Sequence, residues 1–390
     1  MPLRFLTAGE SHGPELTVIV EGLPAGVTVD PGWIDRQLIR RMGGHGRGGR
    51  MKIEKDRVVV TGGVRWGKTL GSPVSMRIPN LDHANWQAAM SPLGERPEGD
   101  DARSVTRPRP GHADLAGALK YGTHDARDIL ERSSARETAA RTAAGALAQS
   151  LLAAVGIRVT SHTLSVGAAC VAPLSPEDFE RLLSLDDDAP MRTLDPDDQQ
   201  RLTAAVDEAR NRRDSVGGSF EILADGVPIG LGSHTHWDRR LDGRLAGALC
   251  SIQAVKAVSI GEGIEGASRF GSEQHDEILY QPDRGFVRPT NRAGGIEGGI
   301  TNGEMIRVSA YFKPLASLPQ PLRSVDLVSK EPFEAVRERT DTIPIVAAGV
   351  VGEAMMAWVL ADELTVKFGG DRLDELTRNL DGYRRSLTDY

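Results

Sequence analysis

Cysteine is almost missing from this sequence: Cys170 and Cys250 are the only two in 390 residues, and neither has a Cys-x-x-Cys or Cys/His spacing. A disulfide framework or a zinc site of recognisable spacing is therefore excluded, and a reducing, cytoplasmic setting is expected. An excess of positive charge is missing too. Lys and Arg number 47 against 54 Asp and Glu, a net charge of -7, so affinity for anions has to come from local clusters rather than from the whole molecule. The N-terminus, MPLRFLTAGESHG, lacks an apolar run of signal-peptide length, and the working chain is expected to begin there. Residues 343–360 come nearest to a membrane span, but Pro344 and Glu353 interrupt them and Asp362-Glu363 follow. Their small residues, among them Ala347, Ala348, Gly349, Gly352, Ala354 and Ala357, predict a helix packed closely inside the protein. No fixed-period repeat and no Pro/Gly/Ser-rich linker divides the chain, so one large domain over 1–390 is expected.

What is present reads as a soluble mixture of helices and strands. Hydrophobic residues make up 39% and charged residues 26%, and 44 glycines imply many tight turns or close backbone approaches. Residues 16–30 are β-rich around a turn at Leu23-Pro24-Ala25-Gly26, and Asp30-Pro31 opens a helix through Arg41. Short strands are predicted at 57–61 and 74–78. Ala139, Ala140, Ala143, Ala144, Leu147, Leu151 and Leu152 recur at helical spacing until Gly156. Strands are predicted at 159–166, 219–223 and 227–231, then a helix through Leu241, Leu245, Leu249, Ile252 and Val255. Residues 175–214 are strongly acidic, with Phe179, Leu182 and Leu183 at helical spacing; they predict a peripheral helical excursion without a catalytic role.

Several motifs bear on chemistry. Gly62, Gly67, Lys68 and Thr69 satisfy the phosphate-cradling P-loop pattern, but that loop must open a helix, and the β-like run 74–78 follows, so a hairpin is favoured. The arm from Arg36 to Lys52 carries Arg36, Arg40, Arg41, Arg47, Arg50 and Lys52 without an acidic residue. It reads either as a solvated basic face or as a phosphate site, and its glycines favour the second by letting backbone N–H groups approach an anion. Ser134 and Glu137 make a capping box, which needs no ligand; yet a helix start between Arg132 and Arg136 is equally an anion site. His12 and His112 each lie beside glycine on a stretch poor in core residues, where histidine does chemistry more often than packing. His234 and His236 could suggest a metal pair, but no further ligand has a sensible spacing, and no metal is expected.

Taken in order, GESHG at 9–13, GRG at 46–48, RPGHAD at 109–114, ERSSARETAAR at 131–141, NRAGGIEGG at 291–299, KPLAS at 313–317 and RTD at 339–341 resemble the chorismate synthases. The resemblance spans nearly the whole chain. It implies an α+β fold, a β-α-β-α sandwich usually assembled as a homotetramer. It also implies a lyase of aromatic amino-acid biosynthesis (the shikimate pathway), which eliminates phosphate from 5-enolpyruvylshikimate-3-phosphate to give chorismate. Reduced FMN is required although the reaction has no net redox change. Some members reduce their own flavin with NADPH and others depend on an external reductase.

Carried over residue by residue, the resemblance implies that His12 acts on the flavin and that His112 protonates or stabilises the departing phosphate. Asp341, supported by Ser11, would lie near the flavin edge that accepts the ring proton. Flavin contacts are implied for Arg132, Ser133, Ser134, Gln253, Ala254, Gly298, Lys313, Pro314, Leu315, Ala316, Ser317 and Arg339, and nicotinamide phosphate contacts for Arg41 and Arg47. A substrate with a phosphate and two carboxylates beside a flavin phosphate needs several cationic forks, and Arg41, Arg47, Arg107, Arg132, Arg136, Arg292, Lys313 and Arg339 are the candidates. Two departures bear on local flavin packing and nicotinamide contact: Thr340, Thr342 and Ile343 replace common residues of the last motif, and His45 stands where an aromatic residue is frequent. The competing readings, a P-loop NTPase and a polyanion-binding protein, rest on Lys68 and on the basic arm.

Overall fold

Alternating apolar residues near the N-terminus build the first of two main sheets. Strands β1 (Arg4–Ala8), β2 (Glu15–Glu21), β3 (Val59–Gly62) and β4 (Val74–Pro79) pair antiparallel in the order β1-β2-β4-β3. Leu16, Val18 and Val20 on β2 and Val74, Met76 and Ile78 on β4 are buried, the period-2 pattern of a sheet with one covered face. The computed structural model describes residues 2–49, 55–172, 174, 175, 177–282, 285–388 and 390. Arg50 and Lys52 of the basic arm lie outside the described residues.

Three helices cover that face. These are α1 (Pro31–Met42), α4 (Thr138–Ala153) and α8 (Ile345–Phe368), with α2 (Asp114–Tyr121) and α3 (Arg127–Ser133) in the segment leading to α4. Beyond the helical layer lies the second sheet, β5 (Arg158–Val166), β6 (Gly218–Asp225), β7 (Val255–Ile260) and β8 (Ile306–Phe312), in the order β7-β8-β6-β5 and closed at one edge by Ala169–Cys170. On its outer face, Phe179 and Leu182 of α5 (Asp178–Leu183) pack on Leu223. The layers therefore run β-α-β-α. Three more helices, α6 (Pro196–Asn211), α7 (Leu241–Cys250) and α9 (Leu373–Thr388), complete the main elements.

The expected small-residue helix is α8. By length and composition it could cross a membrane, but its apolar window is entirely buried in protein. A helix apolar on all sides has to be buried on all sides. Its glycines and alanines set the spacing: a Cβ on Gly145 of α4 would fall 2.3 Å from Ala354, and one on Gly352 would fall 2.8 Å from Phe220 of β6. Glu353 is buried in this layer and accepts both arms of the Arg40 fork at 2.7 and 2.8 Å and the Ser161 hydroxyl at 2.7 Å, with Arg192 at 3.8 Å. Burial pushes its carboxyl up, but the Arg40 and Arg192 charges hold it below the ordinary value.

Four expectations need correction. Residues 227–231 form no strand: Val227 and Leu231 are buried, but Pro228 and Gly230 interrupt, and the backbone pairs with Thr301 instead. The helix through Leu241 ends at Cys250, and Val255 already belongs to β7. The Ser134/Glu137 capping box is only half made. Ser134 caps a short 3-10 turn by accepting from the Arg136 N–H, whereas Glu137 turns to Thr7 and Arg141, and α4 starts at Thr138. Finally, the acidic excursion is helical but not merely peripheral, since it buries Leu182, Met191, Leu202 and Val206 completely and places Asp207 2.8 Å from His45. The P-loop pattern forms the expected hairpin, with Val64–Arg65 paired to Lys68–Thr69 and the Lys68 ammonium on Thr28.

Candidate active site

A cleft of about 490 Å³ opens where the β1–β2 loop, the glycine-rich arm after α1, the start of α2, the α3–α4 junction and the 339–341 segment converge. That is within the size range of small-molecule sites. Ser11, His12, His112 and Asp341 all line it, as do Arg41, Arg47, Arg109, Arg136, Lys256, Lys313 and Arg339.

The two histidines are held alike. His12 stacks on Trp86 with ring centroids 3.8 Å apart, and its Nδ1 lies 2.8 and 3.0 Å from the Glu131 oxygens, while its own backbone N–H donates to the same carboxylate at 2.8 Å. Burial would raise Glu131, but hydrogen bonds and charge from His12, aided by Arg127, carry it below the usual carboxylate value. His112 Nδ1 lies 2.5 Å from Asp114 Oδ1, and Arg109 donates to Asp114 Oδ2 from Nε at 2.8 Å and to Ser317 Oγ from Nη1 at 2.7 Å. Asp114 is fully buried, which opposes its charge, yet the contacts from His112 and Arg109 depress it far below an ordinary aspartate.

The cationic wall is braced by carboxylates. Arg47 meets Asp341 at 2.9 Å, and the other Asp341 oxygen accepts the Gly48 N–H at 2.5 Å. Gly48 admits no side chain, since its Cβ would fall 2.5 Å from the Thr340 carbonyl oxygen. Arg339 donates to Asp82 at 2.5 Å, and Arg136 donates to the buried Asp56 at 2.5 Å. Arg41 is 4% exposed and donates from Nε to Thr138 and from Nη2 to the Ala135 carbonyl, both at 2.8 Å. Lys313 donates to the Gly111 carbonyl at 2.9 Å; burial and the Lys256 charge push its ammonium below the ordinary lysine value.

The structure thus gathers Ser133, Ser134, Gln253, Ala254, Lys313, Leu315, Ala316, Ser317 and Arg339 with the histidines. It does not bring in five others that sequence reasoning had placed there. Arg132 turns away to the Thr7 and Gly9 carbonyls, Pro314 packs beside Gly217, and Gly298 lies in the 296–301 turn next to Arg240. Arg107 covers the Phe333 ring, and Arg292 bonds Thr290 in the loop stapled by Asp276. His236 pairs with Asp238 at the surface, and no metal-ligand cluster occurs among the described residues.

The family profile for chorismate synthase matches residues 3–365. The chain belongs to the chorismate synthase family. Among its relatives, the chorismate synthase of Desulforudis audaxviator is 54% identical over 99% of this chain and 97% of its own, and that of Geobacillus kaustophilus is 49% identical over all of both chains. A crystal structure of chorismate synthase superimposes with a TM-score of 0.80 at 38% identity, covering 100% of this chain and 99% of the other. In this chorismate synthase fold, sequence reasoning passed over Asp56, Asp82, Trp86, Arg109, Asp114 and Glu131. Only Arg109 and Asp114 had an available signal, their spacing around His112. The others stand behind the cleft and meet the lining residues they brace, Arg136, Arg339 and His12, only across long stretches of sequence.

Proposed function

We propose that the chain converts 5-enolpyruvylshikimate-3-phosphate to chorismate and phosphate using reduced FMN. The observation that carries this reading is the pairing of two carboxylate-bound histidines with a wall of cations in one cleft. The residues present fit both ligands. Arg47, Arg136, Lys256, Lys313 and Arg339 supply positive charge for phosphate and carboxylate groups. The buried Oε1 of Gln253 receives no hydrogen bond among the described residues, so an N–H of a bound ring would satisfy it. Ser133, Ser134, Gln253, Ala254 and residues 315–317 would hold the flavin, which when bound lends electron density to the substrate while phosphate departs.

The protein's own part is proton placement and charge. His112, oriented by Asp114, is placed to protonate or hydrogen-bond the leaving phosphate, with Arg109 locked beside it. His12 keeps a proton available at the flavin side, and Asp341, held by Arg47 and the Gly48 N–H, would lie beside the flavin edge. The cations stabilise charge as it develops on the phosphate, which is where preorganised donors contribute most.

The test is phosphate release from this substrate under anaerobic conditions with chemically reduced FMN. Repeated turnover is expected; folded protein that releases no phosphate overturns the reading. Repeating the assay with oxidised FMN and NADPH distinguishes a member that reduces its own flavin from one served by an external reductase. A homotetramer in the cytoplasm is part of the same proposal, and light scattering of the purified chain checks the assembly.

A further inference from the structure

His12 is fixed from several directions. The ring lies on Trp86 at an interplanar angle of 25°, and Glu131 takes Nδ1 and the His12 backbone N–H together. The loop beneath is tied down as well: Ser11 N–H donates to the Glu131 carbonyl at 3.0 Å, and Asn80 donates to the Ser11 and Gly13 carbonyls at 3.1 and 2.8 Å. Glu131 is 2% exposed, and its other charged neighbour is Arg127, 3.2 Å away. A buried carboxylate whose two oxygens both serve one histidine does more than satisfy that histidine. It selects the tautomer, because a proton on Nδ1 is held by the carboxylate and Nε2 becomes the exchanging position. Nε2 of His12 has no protein partner among the described residues, and the residue lines the cleft. His112 and Asp114 repeat the arrangement from a different segment.

We propose that Glu131 is the positioning residue of His12, fixing its proton on Nδ1 and presenting Nε2 to the cleft, as Asp114 does for His112. The proposal rests on the flavin-dependent reading of the cleft for its catalytic consequence, but its structural part concerns the ligand-free protein. The charged or titratable groups placed around His12 are Glu131 and Arg127 on α3, Arg103 against Trp86, and His83, whose Nδ1 lies 3.0 Å from the His12 carbonyl oxygen. Of these, Glu131 alone contacts the ring edge, so it decides which ring nitrogen carries the proton.

Nitrogen-15 NMR of the ligand-free wild type tests the tautomer without any substitution. Neutral His12 protonated on Nδ1 is expected, and neutral His12 protonated on Nε2 overturns the proposal. In Glu131→Gln, of nearly the same shape, the preference of neutral His12 for the Nδ1-protonated tautomer is expected to weaken, because an amide holds that proton less firmly than a carboxylate. An unchanged tautomer ratio in folded protein overturns the proposal. In turnover, kcat should drop roughly 10- to 100-fold, part of what general acid–base catalysis contributes, with its pH profile displaced while KM moves little. Glu131→Asp should restore part of the loss. Combined with His12→Ala, Glu131→Gln should add no further loss, since the residue acts through His12; an additive loss overturns the proposal. If wild-type protein gave the expected spectra yet no phosphate release, the functional reading alone would fail.

Discussion

Ala254 keeps a backbone conformation that side chains seldom adopt, with φ +68° in the cleft wall, while its carbonyl accepts the Lys313 N–H at 2.9 Å. A left-handed residue other than glycine is strained by roughly 1–2 kcal/mol, and such strain gathers at ligand sites. Ala254→Gly is therefore expected to leave the melting temperature unchanged or slightly higher, and Ala254→Val to lower stability by about 2 kcal/mol, both readable by thermal unfolding. At His112 the same scale gives a sharper expectation. Asp114→Asn keeps the shape but removes the charge that holds Arg109 and His112, so phosphate release should slow about 100-fold. Lys68→Ala, on a surface hairpin, should leave both turnover and stability intact, and ATP hydrolysis by the wild type that this variant abolishes would bring the P-loop reading back. Why Asp114 could be inferred from sequence and Glu131 could not is a matter of separation. Asp114 is two residues from its histidine, whereas Glu131 is 119 residues from His12 and meets it only once α3 is docked.

The elements that read correctly are those whose burial leaves a local period. Helix α1 begins at its Asp30 cap, which accepts the Gly32 N–H, with Pro31 opening the helix, and α4 follows from its Ala/Leu spacing. The segment 227–231 misled because apolar residues at alternate positions do not suffice for a strand: Val227 and Leu231 are buried, but Ile229 is exposed. Pro228 has no N–H to give, Gly230 has φ +92°, and the segment is held by single bonds to Thr301. The α4–α8 crossing is where helix identity matters most for stability. Gly145 leaves no room for a side chain against Ala354, so Gly145→Val should destabilise the protein by about 3 kcal/mol through overpacking, with Gly145→Ala smaller in the same direction. Denaturant midpoints would show this, and an unshifted Gly145→Val midpoint would mean that the helices separate easily.

Across the whole molecule, buried carboxylates join the layers and set the response to acid. Glu221 on the outer face of the second sheet lies 2.9 Å from His162 Nε2 and accepts the Arg307 fork at 2.9 and 3.0 Å, linking β5, β6 and β8. Burial pushes its carboxyl up, but the contacts from His162 and Arg307 bring it from the ordinary 4.5 down to about 2. Glu131 and Glu353 are lowered as well, one at the cleft and one inside the helical layer. A carboxyl lowered by folding stabilises the protein fully above its unfolded value, and that contribution is lost as pH falls through the folded value. For Glu221 the window runs from about pH 4.5 to about 2, with a slope of about 1.4 kcal/mol per pH unit. Urea midpoints should therefore stay level near neutrality and drop steeply below about pH 4.5. Glu221→Gln should lower the midpoint at pH 7, because it leaves the half-buried Arg307 beside a neutral group, and should flatten the acid limb. If the variant and the wild type lost stability in parallel below pH 4.5, the acid response would have to come from carboxylates other than this inter-strand link.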